Sequence, residues 1–298
     1  NSENYIENVK LWIQAARPRT LPAAAAPVLV GLALAFNTTQ FNYSSALACL
    51  LISLLMQIAA NFANDLFDNI KGSDTPDRLG PVRVTSAGLI SPGKMKIAVI
   101  VTIAAAALLG CYLIWIRGIP VLVLGLLVIL AALLYTGGPF PYGYFALGDI
   151  FVFLSFGLAA VCGTYFVQAG FVSLTAIIAS IPVGLLIVNI LVVNNTRDIN
   201  TDRTANKKTL AVVLGRNAMT AEYLICLLAS YMVPVYMVLN KMSSIWIFLI
   251  FISLPSAFIV ARDFVSKTGR ELNVTLAKTA QLALFYSLLF AAGILLFP

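Results

Sequence analysis

The sequence predicts an all-α, polytopic membrane protein. The 298-residue chain is 60% hydrophobic and only 10% charged, and its mean hydropathy is +0.94, far outside the balance of a soluble domain. Its apolar residues gather into nine runs that reach, or nearly reach, the length of a bilayer's hydrocarbon layer. Such runs must be helical, because a lone strand in lipid leaves its backbone polar groups unpaired. The whole of 1–298 reads as one transmembrane domain.

Residues 1–19 carry Tyr5, Ile6, Val9, Trp12, Ile13 and Ala16 at helical intervals and end at Arg17-Pro18, the pattern of an amphipathic helix lying in the cytoplasmic interface. No cleavable signal is visible there. The expected spans are 21–36, 45–63, 97–116, 119–135, 146–167, 174–193, 223–239, 245–261 and 280–297. Segments 64–96 and 194–219 lie between spans as the two polar cytoplasmic regions.

Cations set the orientation. Seventeen of the 19 Lys and Arg residues precede the first span or follow the second, sixth and eighth; only Arg117 and Lys241 fall on the other side. The positive-inside rule then places the amino terminus in the cytoplasm of a cell inner (plasma) membrane and, with nine spans, the carboxyl terminus outside. The net charge of +7 is membrane-surface charge, and nothing else supports nucleic-acid binding. The chain has no histidine, which removes histidine-based metal sites and triads. Cys49, Cys111, Cys162 and Cys226 lie in apolar runs without metal-like spacing and read as packing residues.

Two polar clusters interrupt this hydrocarbon. One runs from Asn64-Asp65-Leu66-Phe67-Asp68 to Asp74 and Asp77; the other runs from Asn194-Asn195-Thr196-Arg197-Asp198 to Asp202. Together they hold six of the twelve acidic residues, each set directly after a membrane-length run. Carboxylates in that position are costly unless paired, hydrated or metal-bound, so they mark function. Asn64 and Asp68 share a helix face, and Asn194, Asp198 and Asp202 repeat the spacing over two turns. The two Asn/Asp pairs stand 130 residues apart at the cytoplasmic ends of spans two and six. That placement suggests a parallel pseudo-repeat of spans 1–4 and 5–8, with the ninth appended.

Two facing carboxylates at about 6 Å, with an effective dielectric near 20, repel by roughly 3 kcal/mol. A divalent cation relieves this, and an oxygen-only donor set favours Mg²⁺ over zinc or copper. The metal candidates are Asn64, Asp68, Asp74, Asn194, Asp198 and Asp202. Lys71, Arg78, Arg197, Arg203, Lys207 and Lys208 are interleaved with them, which bare cation binding does not require. The mixture suits a metal–diphosphate complex, carboxylates on the metal and cations on the phosphate oxygens. Asp65, one residue from Asn64, points about 100° away and belongs to a supporting layer or a local cap.

These residues resemble the UbiA superfamily of intramembrane prenyltransferases over nearly the whole chain. The most specific parts are Asn64-x-x-x-Asp68 with Asp74, and Asp198-x-x-x-Asp202. Arg17-Pro18-Arg19-Thr20-Leu21-Pro22, Tyr135-Thr136-Gly137-Gly138-Pro139, Leu147-Gly148-Asp149, Lys207-Lys208-Thr209-Leu210 and Leu272-Asn273 point the same way. The spacing from Asp68 to Asp74, with Lys71-Gly72 between, is similar to the naphthoate branch. The resemblance implies a UbiA-like helical bundle and Mg²⁺-dependent transfer of an all-trans polyprenyl group from its diphosphate to 1,4-dihydroxy-2-naphthoate. CO₂ and diphosphate leave, and the product is demethylmenaquinol, on the route to menaquinone. It further implies that Asp68, Asp198, Asp202, Lys71 and Asp149 serve catalysis and that Lys71, Arg78, Arg83, Arg197, Lys207 and Lys208 bind diphosphate. Arg17, Tyr135, Tyr142 and Asp149 are expected at the acceptor or cation pocket. For each of these four a plainer role exists: positive-inside charge for Arg17, interfacial anchoring for the tyrosines, a helix-start charge for Asp149. Another aromatic acceptor such as 4-hydroxybenzoate is the nearer alternative. A transporter or Mg²⁺ channel is the distant one, since such sites usually lie near the midplane whereas all the chemistry here lies at one face.

Overall fold

The computed structural model describes residues 2–37, 40–72 and 78–296, and among them there are helices and no strands. Helix α1 (Ser2–Ala16) lies first. Arg17 adopts a left-handed conformation (φ 52°), a three-residue 3₁₀ turn (Pro18–Thr20) follows, and the chain bends by 51° before α2 (Pro22–Phe36). Then come α3 (Tyr43–Ile70), α4 (Pro92–Arg117) and α5 (Ile119–Leu134). The second half has α6 (Gly148–Val152), a π-helical stretch (Phe153–Ala159), α7 (Ala160–Ala169), α8 (Leu174–Arg197), α9 (Ile199–Thr204) and α10 (Leu210–Leu239). A 3₁₀ stretch (Ile245–Ser253), α11 (Leu254–Ser266) and α12 (Leu272–Leu295) complete it.

Local chemistry sets the ends. Side-chain oxygens of Asn42, Ser91, Ser173 and Thr209 cap the first turns of α3, α4, α8 and α10. α3 stops at Gly72, which takes the left-handed φ of 64° that other residues avoid. Arg117 donates from Nε to the Val167 carbonyl at 2.6 Å and also bonds the Gln168 carbonyl, so one of the two cations on the far face closes the end of α7.

Seven helical stretches among the described residues are long and apolar enough to cross a membrane, eight if the bent α1–α2 pair is one span. The expected count of nine membrane-length spans is not reached, because α5 has only 16 residues. At 1.5 Å per residue it covers about 24 Å of a hydrocarbon layer of about 30 Å. Gly118-Ile119-Pro120 starts it and the Gly/Pro turn after Tyr135 stops it, within one residue of the expected 119–135. The first polar cluster is helical, as the shared face of Asn64 and Asp68 required: α3 runs past its apolar stretch and carries Asn64, Asp65 and Asp68. The second cluster is not one unbroken helix: α8 ends at Arg197 and Asp198 sits at the junction (φ −98°, ψ 9°) before α9. Helical hydrogen bonds nevertheless bridge the break, Asp198 N–H to the Asn194 carbonyl and Asp202 N–H to the Asp198 carbonyl.

The helices form a ring. The antiparallel pairs α3/α4 and α8/α10 pack closely, one in each half, and α2 crosses α7 between the halves. Small residues permit the closest crossings: a Cβ on Gly31 would meet the Val161 carbonyl at 2.6 Å, and one on Gly157 would meet Gly184 Cα at 2.9 Å. The main core joins α2, α7, α8, α10, α11 and α12. A second cluster packs α1 onto α3 and α4 through Ala15, Phe62, Leu66 and Met95. A third, around Val28, Cys49, Leu113, Val121 and Val167, closes the opposite end of the first half. Between the second and third clusters the ring is hollow.

Candidate active site

The hollow is a cavity of about 840 Å³. Its polar end is lined by Asn64, Asp68, Arg83, Asn194, Asp198 and Asp202, and its other end by Val28, Cys49, Leu113, Val121, Leu124 and Val167. Both Asn/Asp clusters therefore face one space, and that space runs from a charged mouth into hydrocarbon. Asn64 and Asp68 both line it, as one turn of helix requires.

Asp68 has no solvent exposure. It accepts from the Tyr144 hydroxyl at 2.6 Å and pairs with Arg83 at 2.5 Å and Lys207 at 3.2 Å. Tyr144 also stands between two lysines: the Nζ atoms of Lys71 and Lys207 lie 4.8 and 4.7 Å from its ring centroid. Lys71 Nζ donates to the Thr136 carbonyl at 2.6 Å, and the Thr136 hydroxyl donates to Asn64 Oδ1 at 2.9 Å. The turn bearing Thr136 comes this close because Gly137 has no Cβ; one would lie 2.6 Å from the Phe67 ring of α3.

Arg197 organises the second cluster. It donates from Nε and Nη2 to the two oxygens of Asp198 at 2.8 and 2.5 Å, from Nη2 to Asn194 Oδ1 at 2.9 Å and from Nη1 to Asn273 Oδ1 at 2.7 Å. Asp202, on α9, lines the cavity. Burial pushes it up to about 7 against the pull of Lys207, and the Asp198 and Asp68 carboxylates add to the rise. The three aspartates thus share one field.

The other expected residues divide. Arg17, Arg78, Arg83, Tyr135, Tyr142 and Lys207 line the cavity. Tyr142 is anchored by its hydroxyl, which donates to the Ala131 carbonyl at 2.5 Å, and its ring stacks on Phe151. Lys71 is exposed at the rim, and Lys208 is exposed and away from the cavity lining. Asp149 is buried but does not line the cavity; neither carboxylate oxygen has a hydrogen-bond partner among the described residues. Asp65 points elsewhere, accepting from the Thr85 N–H at 3.2 Å. Asp74 and Asp77 lie outside the described residues. Sequence reasoning missed Tyr144 and gave no role to Thr136 or Asn273, though both lie in the motifs named above. The signal for Tyr144 was the Pro141-Tyr142-Gly143-Tyr144 turn, whose second tyrosine, not its first, reaches the aspartate.

Asn64, Asp68, Asn194, Asp198 and Asp202 are oxygen donors around one cavity end and fit a hard divalent cation in kind. In the present arrangement cations neutralise Asp68 and Asp198 instead, and no three acidic side chains among the described residues converge on one metal position.

Residues 24–289 match the UbiA prenyltransferase family. The chain belongs to that family. Its UbiA-family relatives include the 1,4-dihydroxy-2-naphthoate octaprenyltransferase of Escherichia coli, 37% identical over 99% of this chain and 98% of that one. The enzyme of the same name from Bacillus subtilis is 31% identical over 96% and 92%. The UbiA prenyltransferase domain-containing protein 1 of mouse is 31% identical over 96% and 84%. Among solved structures, the apo UbiA homologue of Aeropyrum pernix superposes with a TM-score of 0.70 at 15% identity, covering 92% of this chain and 96% of that one. A UbiA homologue of Archaeoglobus fulgidus bound to DMAPP and Mg²⁺ superposes at 0.66, with 15% identity and 94% and 99% coverage. These likenesses place the fold: an all-helical, multi-pass UbiA bundle.

Proposed function

We propose that this UbiA-family enzyme transfers an all-trans polyprenyl group from its diphosphate to 1,4-dihydroxy-2-naphthoate, releasing diphosphate and CO₂ and giving demethylmenaquinol for menaquinone synthesis. The observation that carries the reading is one cavity with two Asn/Asp clusters at its polar end and hydrocarbon beyond. The full-length relatives named for this reaction supply the acceptor. The whole chain acts as a single prenyltransferase domain. It sits in the cell inner membrane with its amino terminus and charged mouth toward the cytoplasm, as the cation distribution favours.

In this reading Asn64, Asp68, Asn194, Asp198 and Asp202, with Asp74, hold Mg²⁺. The ion supplies charge neutralisation for the departing diphosphate. Arg83, Lys207, Arg78 and Lys71 stand at the same mouth and bind phosphate oxygens. Transition-state charge builds on those oxygens, and fixed cations at a water-poor site stabilise it most. The polyprenyl tail occupies the apolar end, where Val28, Leu113, Val121 and Leu124 exclude water from the allylic cation. The Tyr135 ring lines the cavity and is placed to stabilise that cation. Where the prenyl group replaces the ring carboxylate, CO₂ departs and leaves its bonding electrons to the ring. That step removes no ring proton, so it needs no base, and an Asp149 set away from the cavity is compatible with it.

Purified protein in lipid nanodiscs, given octaprenyl diphosphate, Mg²⁺ and either 1,4-dihydroxy-2-naphthoate or 4-hydroxybenzoate, tests this. Prenylated naphthoquinol with matching CO₂ release is expected from the first acceptor only. Product from 4-hydroxybenzoate alone overturns the acceptor; no Mg²⁺-dependent diphosphate release from either overturns the enzyme.

A further inference from the structure

Arg197 is committed to the protein. Its guanidinium has five N–H donors, and hydrogen bonds engage Asp198 twice, Asn194 once and Asn273 once. A side chain so occupied, 4% exposed, acts as a brace rather than a mobile phosphate ligand. What fixes its outer edge is Asn273, at the start of α12 and far from both clusters in sequence. The Asn273 amide faces two ways: its oxygen accepts from Arg197 Nη1 at 2.7 Å, and its nitrogen donates to the Leu79 carbonyl at 2.9 Å. Leu79 belongs to the segment after the first cluster, and the next residue lies directly against the guanidinium, since a Cβ on Gly80 would meet Arg197 Nη2 at 2.8 Å. The same segment continues to Arg83, the partner of Asp68.

We propose that Asn273 is a positioning residue that locks the two aspartate clusters together, holding Arg197 against Asp198 with its oxygen and the Leu79–Gly80 backbone with its nitrogen. Neither cluster has this link within its own half of the chain; α12, the helix outside the pseudo-repeat, supplies it. Loss of Asn273 frees the Arg197 edge and the 79–83 segment together, and the registry of Asp198 and Arg83 across the mouth goes with them. The inference rests on the diphosphate reading of the mouth and adds to it a residue that touches neither metal nor phosphate.

The test uses full-length protein in nanodiscs, with amide exchange and calorimetric binding of an unreactive prenyl S-thiolodiphosphate in the presence of Mg²⁺. Asn273→Ala should speed exchange over 78–85 and weaken analogue binding by about tenfold or more, the cost of losing hydrogen bonds to a charged group and a buried carbonyl. Binding of the corresponding prenyl alcohol, which lacks the diphosphate, should stay within twofold. Asn273→Asp, which can still accept from Arg197 but cannot donate to Leu79, should show the faster exchange with an intermediate loss of binding. Gly80→Ala disturbs the same contact without touching α12 and should weaken the analogue as Asn273→Ala does, which keeps the test open if an Asn273 variant fails to fold. Unchanged analogue binding in Asn273→Ala or in Gly80→Ala overturns the proposal, as does equal weakening of the alcohol. If the parent protein itself binds no analogue in an Mg²⁺-dependent way, it is the proposed function that fails.

Discussion

Asp68 and Asp65 are three residues apart and wholly buried or nearly so, yet their surroundings set opposite expectations. Asp68 faces Arg83, Lys207 and the Tyr144 hydroxyl across the cavity mouth. Asp65 accepts from the Thr85 backbone N–H, which an amide oxygen could also serve, and beyond that acts on Arg17 only through its charge among the described residues. Asp68→Asn should therefore lower turnover by at least about a hundredfold, the scale of losing a fixed electrostatic contact at a reacting centre. Asp65→Asn should leave it within a few-fold, both read as prenylated product by chromatography. Tyr144→Phe keeps a ring beside both lysines but gives up the hydroxyl bond, so a loss of about tenfold is expected, with a larger loss for Tyr144→Leu. Asp202 adds a pH signature. With its carboxyl raised to about 7, a proton occupies it below that pH, and Mg²⁺ must displace the proton to bind. The Mg²⁺ concentration for half-maximal activity should rise as pH falls through 7, by up to about tenfold per unit, and be nearly flat above it. Asp202→Asn should remove most of that slope.

At the scale of helices, the approach of α8 to the π-helical stretch depends on two glycines facing each other. A Cβ on either Gly157 or Gly184 would meet the other's Cα at 2.9 Å, a backbone clash that no rotamer relieves. Gly157→Ala should cost about 1–3 kcal/mol, the usual penalty of overpacking, and lower the thermal midpoint in detergent; Gly110→Ala, where nothing lies within 4 Å, should not. Hydropathy made the spans legible because membrane burial acts on whole segments. The shared face of Asn64 and Asp68 was legible because four residues make about one turn. Two elements were not. The π stretch depends on how α8 crosses it, which no local pattern encodes. The break at Asp198 lies within a run of helix-compatible residues, where Arg197 is bonded to Asp198, Asn194 and Asn273.

Across the whole molecule the charged groups of the site were legible by composition, since carboxylates bordering hydrocarbon are conspicuous. The partners that hold them were not: Tyr144 reaches Asp68, and Asn273 reaches Arg197, each from 76 residues further along the chain. Only the closed ring brings them together. The ring is uneven. α5 buries little beyond Val121 and touches α7 and the π stretch sparingly, while Leu122 and Leu126 line the cavity and are themselves exposed. On that side the cavity is walled by one sparingly held apolar helix, which in a bilayer sits against lipid. A substrate arriving through such a wall is met as a fraction of the membrane, not as a concentration in water. Rates should then follow surface dilution: at fixed donor and enzyme, doubling the inert phospholipid in reconstituted vesicles should slow an unsaturated reaction about as much as halving the donor. Diluting the same vesicles with buffer should change nothing that depends on the donor.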